Sequence, residues 1–465
     1  MEEYFVAGRS FGAVLFYVNT AAEIYSAFAF LGLAGWAYAK GISIVYALAY
    51  GSIAYAMYFL LGPRVNRLGR RLGYVTEPDF LQDRYGSRAL GVFSAAIGFL
   101  FILPYLQLQI VGTGMIIEIC SGGAIGWRAA VLVSFLGAVA FVVISGLRGI
   151  GWTNLLQAVI MLVGMVALGI VVPSRLFGGV DAMFDTLASA RPQHLVLPDS
   201  AGLGLGWYTS VVLLSGCGFW IWPQVFAATY AARDERVVRR NAAVLPLFQL
   251  ALLAVIVVGM SCAALAARDP QFAAAVENPD YAMLTALVRS FPPLFVGLIG
   301  AGGVAAAIST ASALILAAAN LVARNVLQRG LTPRMNEMVA ARIGRLLVPC
   351  ITAIAMALAF YAPRMLVDLL LAGYSGIAQL FPAVVLGLFA RWPTRAGVLA
   401  GLACGLALVL ACFVGDVQLP WGIHPGLAGL LLNVLVVAAV SAGTRAVDPE
   451  RVQRFERALS EPAAE

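Results

Sequence analysis

Charge is scarce in this chain. Asp, Glu, Lys and Arg together make up 11% of its 465 residues, and 62% are hydrophobic. A soluble domain carries about 25% charged residues, so there is too little polar surface here to coat a water-soluble globule. The composition describes a polytopic membrane protein, and length then says nothing about the number of soluble domains. Histidine is scarcer still. His194 and His424 are the only two, both in loops, which excludes a histidine metal cluster. The six cysteines (Cys120, Cys217, Cys262, Cys350, Cys404 and Cys412) are scattered without a CxxC pair. They read as small apolar packers rather than as a disulfide framework. No HExxH, paired catalytic aspartates or nucleophile elbow lies in an apolar run, so no enzymatic chemistry and no organic cofactor are expected. The net charge of +7 is not a nucleic-acid signal, because in a membrane protein the informative quantity is where the positive residues lie. No cleavable leader is expected, since Met1 to Arg9 runs straight into a full-length apolar segment.

What the chain has in abundance is long apolar runs. Charged or Gly/Pro-rich segments divide them into twelve spans, at 11–38, 42–62, 89–119, 128–146, 152–173, 207–230, 242–266, 293–323, 341–361, 366–390, 396–414 and 424–443. Runs of this length without short alternation read as helices, not barrel strands. With the N-terminus placed inside, 23 of the 30 Lys and Arg residues fall in inside segments and 7 in outside ones. That bias puts both termini in the cytoplasm of a bacterial-type inner membrane and supports the count. Two outer loops, 174–206 and 267–292, are long enough for short surface helices, with plain connectors as the equal alternative. The tail at 444–465 has Arg/Glu helical character and is too short for a second domain, so no signalling module is expected on it.

Three stretches carry more than packing requires. In span 1, Tyr17-Val-Asn-Thr-Ala-Ala-Glu-Ile-Tyr-Ser26 places Glu23 near mid-membrane, with Asn19, Thr20 and Ser26 beside it. An acidic residue at a helix centre costs about 2.5–3.5 kcal/mol on the gentlest scales, so Glu23 marks either a transport path or a protonated, hydrogen-bonded structural residue. In span 6, Gly216, Gly218 and Pro223 weaken the helix around Ser215 and Trp220, which indicates a break or close packing through the glycines. In span 8, Ala306, Ser309 and Thr310 stand at i, i+3 and i+4 and share one face. Two adjacent hydroxyls can ligate a hard cation, although Ser and Thr also bond the carbonyl one turn back. Weak points in spans 1 and 6 lie five helices apart. Five is odd, so two five-helix units have opposite topology, the pattern of an inverted-repeat transporter with a midplane site.

Beyond these physical signals, the chain resembles the sodium/solute symporter family. The likeness runs through Glu3-Tyr-Phe-Val-Ala-Gly-Arg-Ser10, Ser26-Ala-Phe-Ala-Phe-Leu-Gly-Leu-Ala-Gly35, Thr76-Glu-Pro-Asp-Phe-Leu-Gln-Asp-Arg-Tyr-Gly86, Gly146-Leu-Arg-Gly-Ile-Gly-Trp-Thr-Asn-Leu-Leu-Gln157 and Ala306-Ala-Ile-Ser-Thr310. The resemblance implies an all-α LeuT-type fold of 5+5 inverted repeats plus two C-terminal helices. The core would be 1–390, with repeats at 11–173 and 207–390, followed by two further helices at 391–443 and the tail. It implies a sodium site built from the carbonyls of Ala22, Tyr25 and Ala306 and the hydroxyls of Ser309 and Thr310. The substrate would lie beside it between spans 1, 3, 6 and 10, with Ser26, Tyr105, Gln107, Ser215, Trp220 and Tyr374 as candidates by position.

The chain departs from the family pattern in three places. It starts at the lead-in motif without the family's usual preceding helix. It has Asn154 where the family carries an acid near the cation path. Glu23 is not the family's residue at its position. Glu23 and Asn154 are therefore taken together as cation-path residues.

Leu103-Pro-Tyr-Leu-Gln-Leu-Gln-Ile-Val-Gly112, Trp222-Pro-Gln224 and Arg239-Arg-Asn-Ala242 look most like the branch that moves monocarboxylates and pantothenate. The expected activity is sodium-coupled symport of a small organic acid by alternating access. Proton coupling through Glu23, a proline-like amino-acid symporter and a transporter-like solute receptor are the alternatives. The expected partners are the solute, sodium and the lipid bilayer, with a homo-oligomer left open and nucleic acid excluded.

Overall fold

The computed structural model describes residues 6–198, 202–361 and 364–460, with the side chains of 23–24, 143–153 and 155–156 outside that description. The described residues fold almost entirely as helix and include no strand element. An isolated bridge joins Phe11 to Ala232. Helix follows from the solvent, because hydrocarbon offers backbone groups no partner and a helix satisfies them within one segment.

Among the described residues, nine helices are long and apolar enough to cross a bilayer. A tenth span is a pair bent by 45°, Leu205–Ile221 with Pro223–Ala231, and two shorter apolar helices are Ala13–Ala22 and Trp127–Val142. Each expected span has a helical counterpart, but by length and composition the structure does not fix the count at twelve. Phe28–Leu72 is one long helical run, turned at Gly41 (φ +63°) where the sequence separates spans 1 and 2. Trp127–Phe177 is one helix, so the connector expected around 147–151 is helical. Nothing there forbids helix: the segment holds glycines but no proline. Span 8 also overruns its expected end, since Pro293–Asn320 continues as a π-helix over Leu321–Leu331. The two long loops, 174–206 and 267–292, carry the helices Val180–Ala190, Pro270–Ala275 and Ala282–Ser290.

Span 8 packs against span 3 and the Trp127–Phe177 helix, and the first half of span 1 also packs on that helix. The last two spans pack on each other. Glycines permit the closest approaches. A Cβ at Gly112 would collide with Ala27, and one at Gly303 with the Phe30 ring, so spans 3 and 8 press directly on span 1.

The two ends of the bundle are closed differently. At the arginine-rich end the short helix Glu77–Tyr85 begins with a capping box between Thr76 and Asp79. The Asp79 carboxylate is fully buried. It accepts from Arg324 Nε at 2.8 Å, Arg329 Nη1 at 2.9 Å, Asn325 Nδ2 at 2.8 Å and Val75 N–H at 3.0 Å. Burial pushes its pKa up, but Arg324 and Arg329 outweigh burial and hold it below the usual carboxylate range. The overrun of span 8 is what brings these arginines within reach. Arg9 donates to the carbonyls of Tyr74 at 3.0 Å and Tyr230 at 3.4 Å, and Phe11 exchanges backbone bonds with Ala231 and Arg233. The helix Pro449–Ser460 covers this end: Arg451 and Arg454 bind Asp83, and Phe455 stacks on Tyr74.

At the opposite end, loop residue Asp280 is inserted between spans 1 and 10. Its Oδ2 accepts from Leu366 N–H at 3.0 Å, at the start of span 10, while Oδ1 is buried without a partner. A Cβ at Gly35 would strike Asp280, so only glycine admits it. Burial pushes the Asp280 carboxyl up to about 7; the Leu366 bond pulls it down and Asp368 adds to the rise. A native carboxyl that keeps its proton until about pH 7, against an ordinary value of 3.8, favours the fold at low pH and loses that contribution as pH rises through 7. Stability in detergent, read as thermal unfolding, is expected to fall between pH 5 and pH 8 by a component of at most about 3 kcal/mol. Asp280→Asn, which cannot ionise, should remove that component, and the two melting profiles against pH provide the check.

Candidate functional site

The helix that opens span 1, Ala13–Ile24, stops because Tyr25 takes an extended conformation (φ −87°, ψ 91°). Tyr25 N–H still reaches Ala21 O at 3.3 Å. The carbonyls of the last turn, Ala22 among them, are then left without helical donors. On the other side of the break, Ala27 N–H does not return to the chain one turn back. It donates to Gln109 Oε1 of span 3 at 2.9 Å. The chain re-enters helix through a π-turn at Phe28–Gly32, a form common at functional sites. The Tyr25 side chain is occupied elsewhere: its hydroxyl donates to Phe248 O at 2.9 Å and its ring lies 4.4 Å from that of Phe248. Only the backbone of Tyr25 is available to an ion.

Span 8 brings its buried face to this break. Ser309 Oγ donates to Asn154 Oδ1, and Asn154 Nδ2 donates to Asn19 Oδ1 at 3.1 Å. Asn19 is one turn before Ala22, so this chain of hydrogen bonds links span 8, the Trp127–Phe177 helix and the break in span 1. Thr310 Oγ1 donates to Ala306 O at 3.3 Å. The five residues of the expected cation site, Ala22, Tyr25, Ala306, Ser309 and Thr310, are all buried. Their oxygens are neutral and hard, the donor type that alkali and alkaline-earth cations prefer. Asn154 is bonded to Ser309 of the expected site and to Asn19, one turn before Ala22. The Glu23 side chain lies outside the described residues.

Beside this region is a cavity of about 30 Å³ lined by Thr20, Phe28, Tyr50, Tyr105, Phe219, Trp222, Gln224, Val225, Leu370 and Tyr374. It sits between spans 1, 2, 3, 6 and 10, one span more than expected. Its wall is aromatic: Trp222 stands 5.0 Å from Tyr105 and 5.4 Å from Tyr374 between ring centroids, and Tyr50 stands 6.0 Å from Tyr374. Among the described residues, no charged side chain lines it. Gln224 Oε1 is a buried acceptor without a partner. The volume suits about one water molecule, so a solute enters only if these rings move.

Of the six substrate candidates, Tyr105 and Tyr374 line the cavity; Ser26, Gln107, Ser215 and Trp220 do not. Gln107 lies two positions from Tyr105, about 200° around the helix, and its amide donates to Leu358 O of span 9 at 3.2 Å. Trp220 precedes the kink and packs on Tyr58, Phe226 and Phe381, whereas Trp222, with ψ 132°, turns its ring into the cavity. The hydroxyls of Ser26 and Ser215 are buried without partners near the two breaks, outside the cavity wall. Gln109 and Tyr50 were missed, and Thr20 was named only as a polar neighbour of Glu23, not as a substrate contact. Gln109 carried one signal, a second amide two positions from Gln107 in an otherwise apolar run. Tyr50 carried none.

The sequence matches the sodium:solute symporter family over residues 4–405. It is similar to the uncharacterized symporter YhjB of Bacillus subtilis, at 35% identity covering 96% of this chain and 92% of the relative. It is also similar to a monocarboxylate transport permease protein of Rhizobium johnstonii, at 24% identity over 97% and 92% of the two chains. A sodium/proline symporter of Staphylococcus aureus matches at 25% identity, over 96% and 88%. Among solved structures, a Na+-coupled sialic acid symporter in a substrate-bound outward-open state superimposes with a TM-score of 0.80 at 17% identity, over 96% and 93% of the chains. That likeness supports the LeuT-type architecture.

The bond across the break has a direct test. Gln109→Leu leaves the buried Ala27 N–H without an acceptor, which costs about 1–3 kcal/mol. Thermal or denaturant unfolding of the purified protein should show a loss of that size, and an unchanged midpoint would remove Gln109 from this role.

Proposed function

Since the chain belongs to the sodium:solute symporter family, we propose that it carries a small monocarboxylate into the cell together with sodium. The observation that supports this most is the hydrogen-bonded line from Ser309 through Asn154 to Asn19, which runs from span 8 to within one turn of the freed carbonyl of Ala22. Sodium binds the carbonyls of Ala22, Tyr25 and Ala306 and the hydroxyls of Ser309 and Thr310. Freed carbonyls at a helix break point the negative end of the backbone dipole at the ion. Asn154 turns the Ser309 hydroxyl and keeps spans 1 and 8 in register. Sodium binding thereby fixes the break in span 1, whose Thr20 and Phe28 belong to the wall of the aromatic cavity.

The solute occupies that cavity after Trp222 and Tyr374 shift. With no Arg or Lys among the described residues of the wall, the positive partner of a carboxylate is the neighbouring sodium ion, and Gln224 and Thr20 supply the polar contacts. The aromatic rings take the apolar end of the solute. The arginine-rich end faces the cytoplasm, and the Asp79 cluster, Arg9 and the C-terminal helix close it while the site loads from outside. The membrane potential contributes about 2.3 kcal/mol per charge per 100 mV to inward sodium movement.

In liposomes of purified protein, sodium should drive counterflow of short monocarboxylates in preference to proline. Ser309→Ala and Thr310→Ala should each raise the sodium concentration for half-maximal uptake about tenfold or more, consistent with the loss of one ligating hydroxyl at about 1.4 kcal/mol per decade. Unchanged sodium activation in both variants removes the site. Uptake driven by a pH gradient without sodium and abolished by Glu23→Gln would replace sodium coupling with proton coupling.

A further inference from the structure

On the lipid-facing side of the arginine-rich end, a cavity of about 590 Å³ opens between spans 2, 7 and 10 beneath the C-terminal helix. Three arginines line it: Arg64, Arg67 and Arg239. Both acids in its wall are already engaged. Glu235 is held by Arg67 through two bonds of 2.5 and 2.6 Å, and Glu456 by Arg391 through bonds of 2.5 and 2.8 Å. Among the described residues, neither Arg64 nor Arg239 is paired with a carboxylate. Both are exposed, and each guanidinium rests over an aromatic ring, Arg64 at 4.2 Å from the Phe389 centroid and Arg239 at 5.7 Å from that of Phe59.

Their depth is defined by the apolar runs. Arg64 is two residues past the end of the run 42–62, Phe389 is one residue short of the end of 366–390, and Arg239 is three residues before the start of 242–266. The three therefore meet where hydrocarbon gives way to headgroups. Beside them the cavity wall is apolar and exposed: Leu60 and Phe389 are 65% and 53% exposed. Two guanidinium groups without a carboxylate partner among the described residues, at headgroup level and above an exposed apolar wall, match a molecule with a phosphate at one end and hydrocarbon at the other. A peptide or free anion would use the charge but not the wall.

We propose that this cavity is a binding site for an anionic phospholipid, with its phosphodiester between Arg64 and Arg239 and its acyl chains along Leu60 and Phe389. Arg67 is held by Glu235 and by the carbonyl of Leu459 in the C-terminal helix, so an occupied site also braces that helix against span 2.

The test is native mass spectrometry of the full-length protein in detergent micelles, titrated with dioleoyl phosphatidylglycerol or dioleoyl phosphatidylcholine. Phosphatidylglycerol should bind saturably and phosphatidylcholine should not. The double variant Arg64→Gln/Arg239→Gln should weaken phosphatidylglycerol binding by about tenfold or more. Arg64→Lys/Arg239→Lys should retain most of it, and Arg334→Gln/Arg342→Gln, which removes equal charge from the same end, should leave it unchanged. Equal binding by wild type and the Gln pair would overturn the site, as would an equal loss in the Arg334/Arg342 control. Inorganic phosphate that displaces the lipid at comparable concentration would overturn the lipid assignment. Circular dichroism melting of the Gln pair separates loss of the site from loss of fold.

Discussion

A backbone N–H left without a partner inside a bilayer costs several kcal/mol, and interrupting span 1 creates that situation at Ala27. Gln109 of span 3 resolves it with a side-chain oxygen. The interruption is thereby made stable, and with it everything the break supplies: carbonyls without helical donors at Ala22 and Tyr25, and a wall residue at Phe28 that faces the aromatic cavity. The close approach of Gly112 to Ala27 belongs to the same arrangement, because only a residue without a Cβ lets span 3 come near enough for a glutamine to reach across. Span 6 solves its own interruption differently. A 3-10 turn at Phe219–Ile221 and a proline at 223, which has no N–H to satisfy, carry the chain through a 45° bend.

The distribution of charge follows the same constraint. Near the centre, the described polar residues of the site (Asn19, Asn154, Ser309 and Thr310) are neutral and bonded to one another or to backbone. Among the described residues, formal ion pairs other than Arg289–Asp269 in the 267–292 loop lie at the arginine-rich end. There Asp79 draws Arg324 and Arg329 from the end of span 8 onto the segment that follows span 2. A buried pair of this kind is weak support for stability but strongly coupled to geometry, since removing one partner strands the other. Elements that carry the proposed cation site and elements that close this end are therefore parts of one helix, span 8. Movement at Ser309 and movement at Arg324 are joined through fifteen residues of continuous helical backbone.

Much of this was legible in the sequence, and the limits are physical. Breaks in spans 1 and 6 could be read because Glu23, Gly216, Gly218 and Pro223 are residues that an apolar helix excludes. The shared face of Ala306, Ser309 and Thr310 could be read because helical spacing fixes it. The cavity wall could not be. Whether Trp220 or Trp222 enters the cavity depends on one backbone ψ angle at the kink, and whether Gln107 or Gln109 reaches span 1 depends on the rotation of span 3, which the glycine contacts set. The overrun of span 8 was hidden because Arg324, Asn325 and Arg329 look like the start of a loop until Asp79, some 245 positions away, supplies their partner. The connector at Arg148 was expected from charge alternation, while the helix runs straight through a segment that has no proline to stop it.

The central claim is that the break in span 1 and the hydroxyl pair of span 8 form one sodium site. Equilibrium binding of radioactive sodium to the purified protein, in the absence of any solute, addresses it most directly. The account predicts saturable binding that lithium weakly displaces and potassium does not, and its loss in the Ser309→Ala/Thr310→Ala double variant. Saturable binding that persists undiminished in that double variant would contradict it.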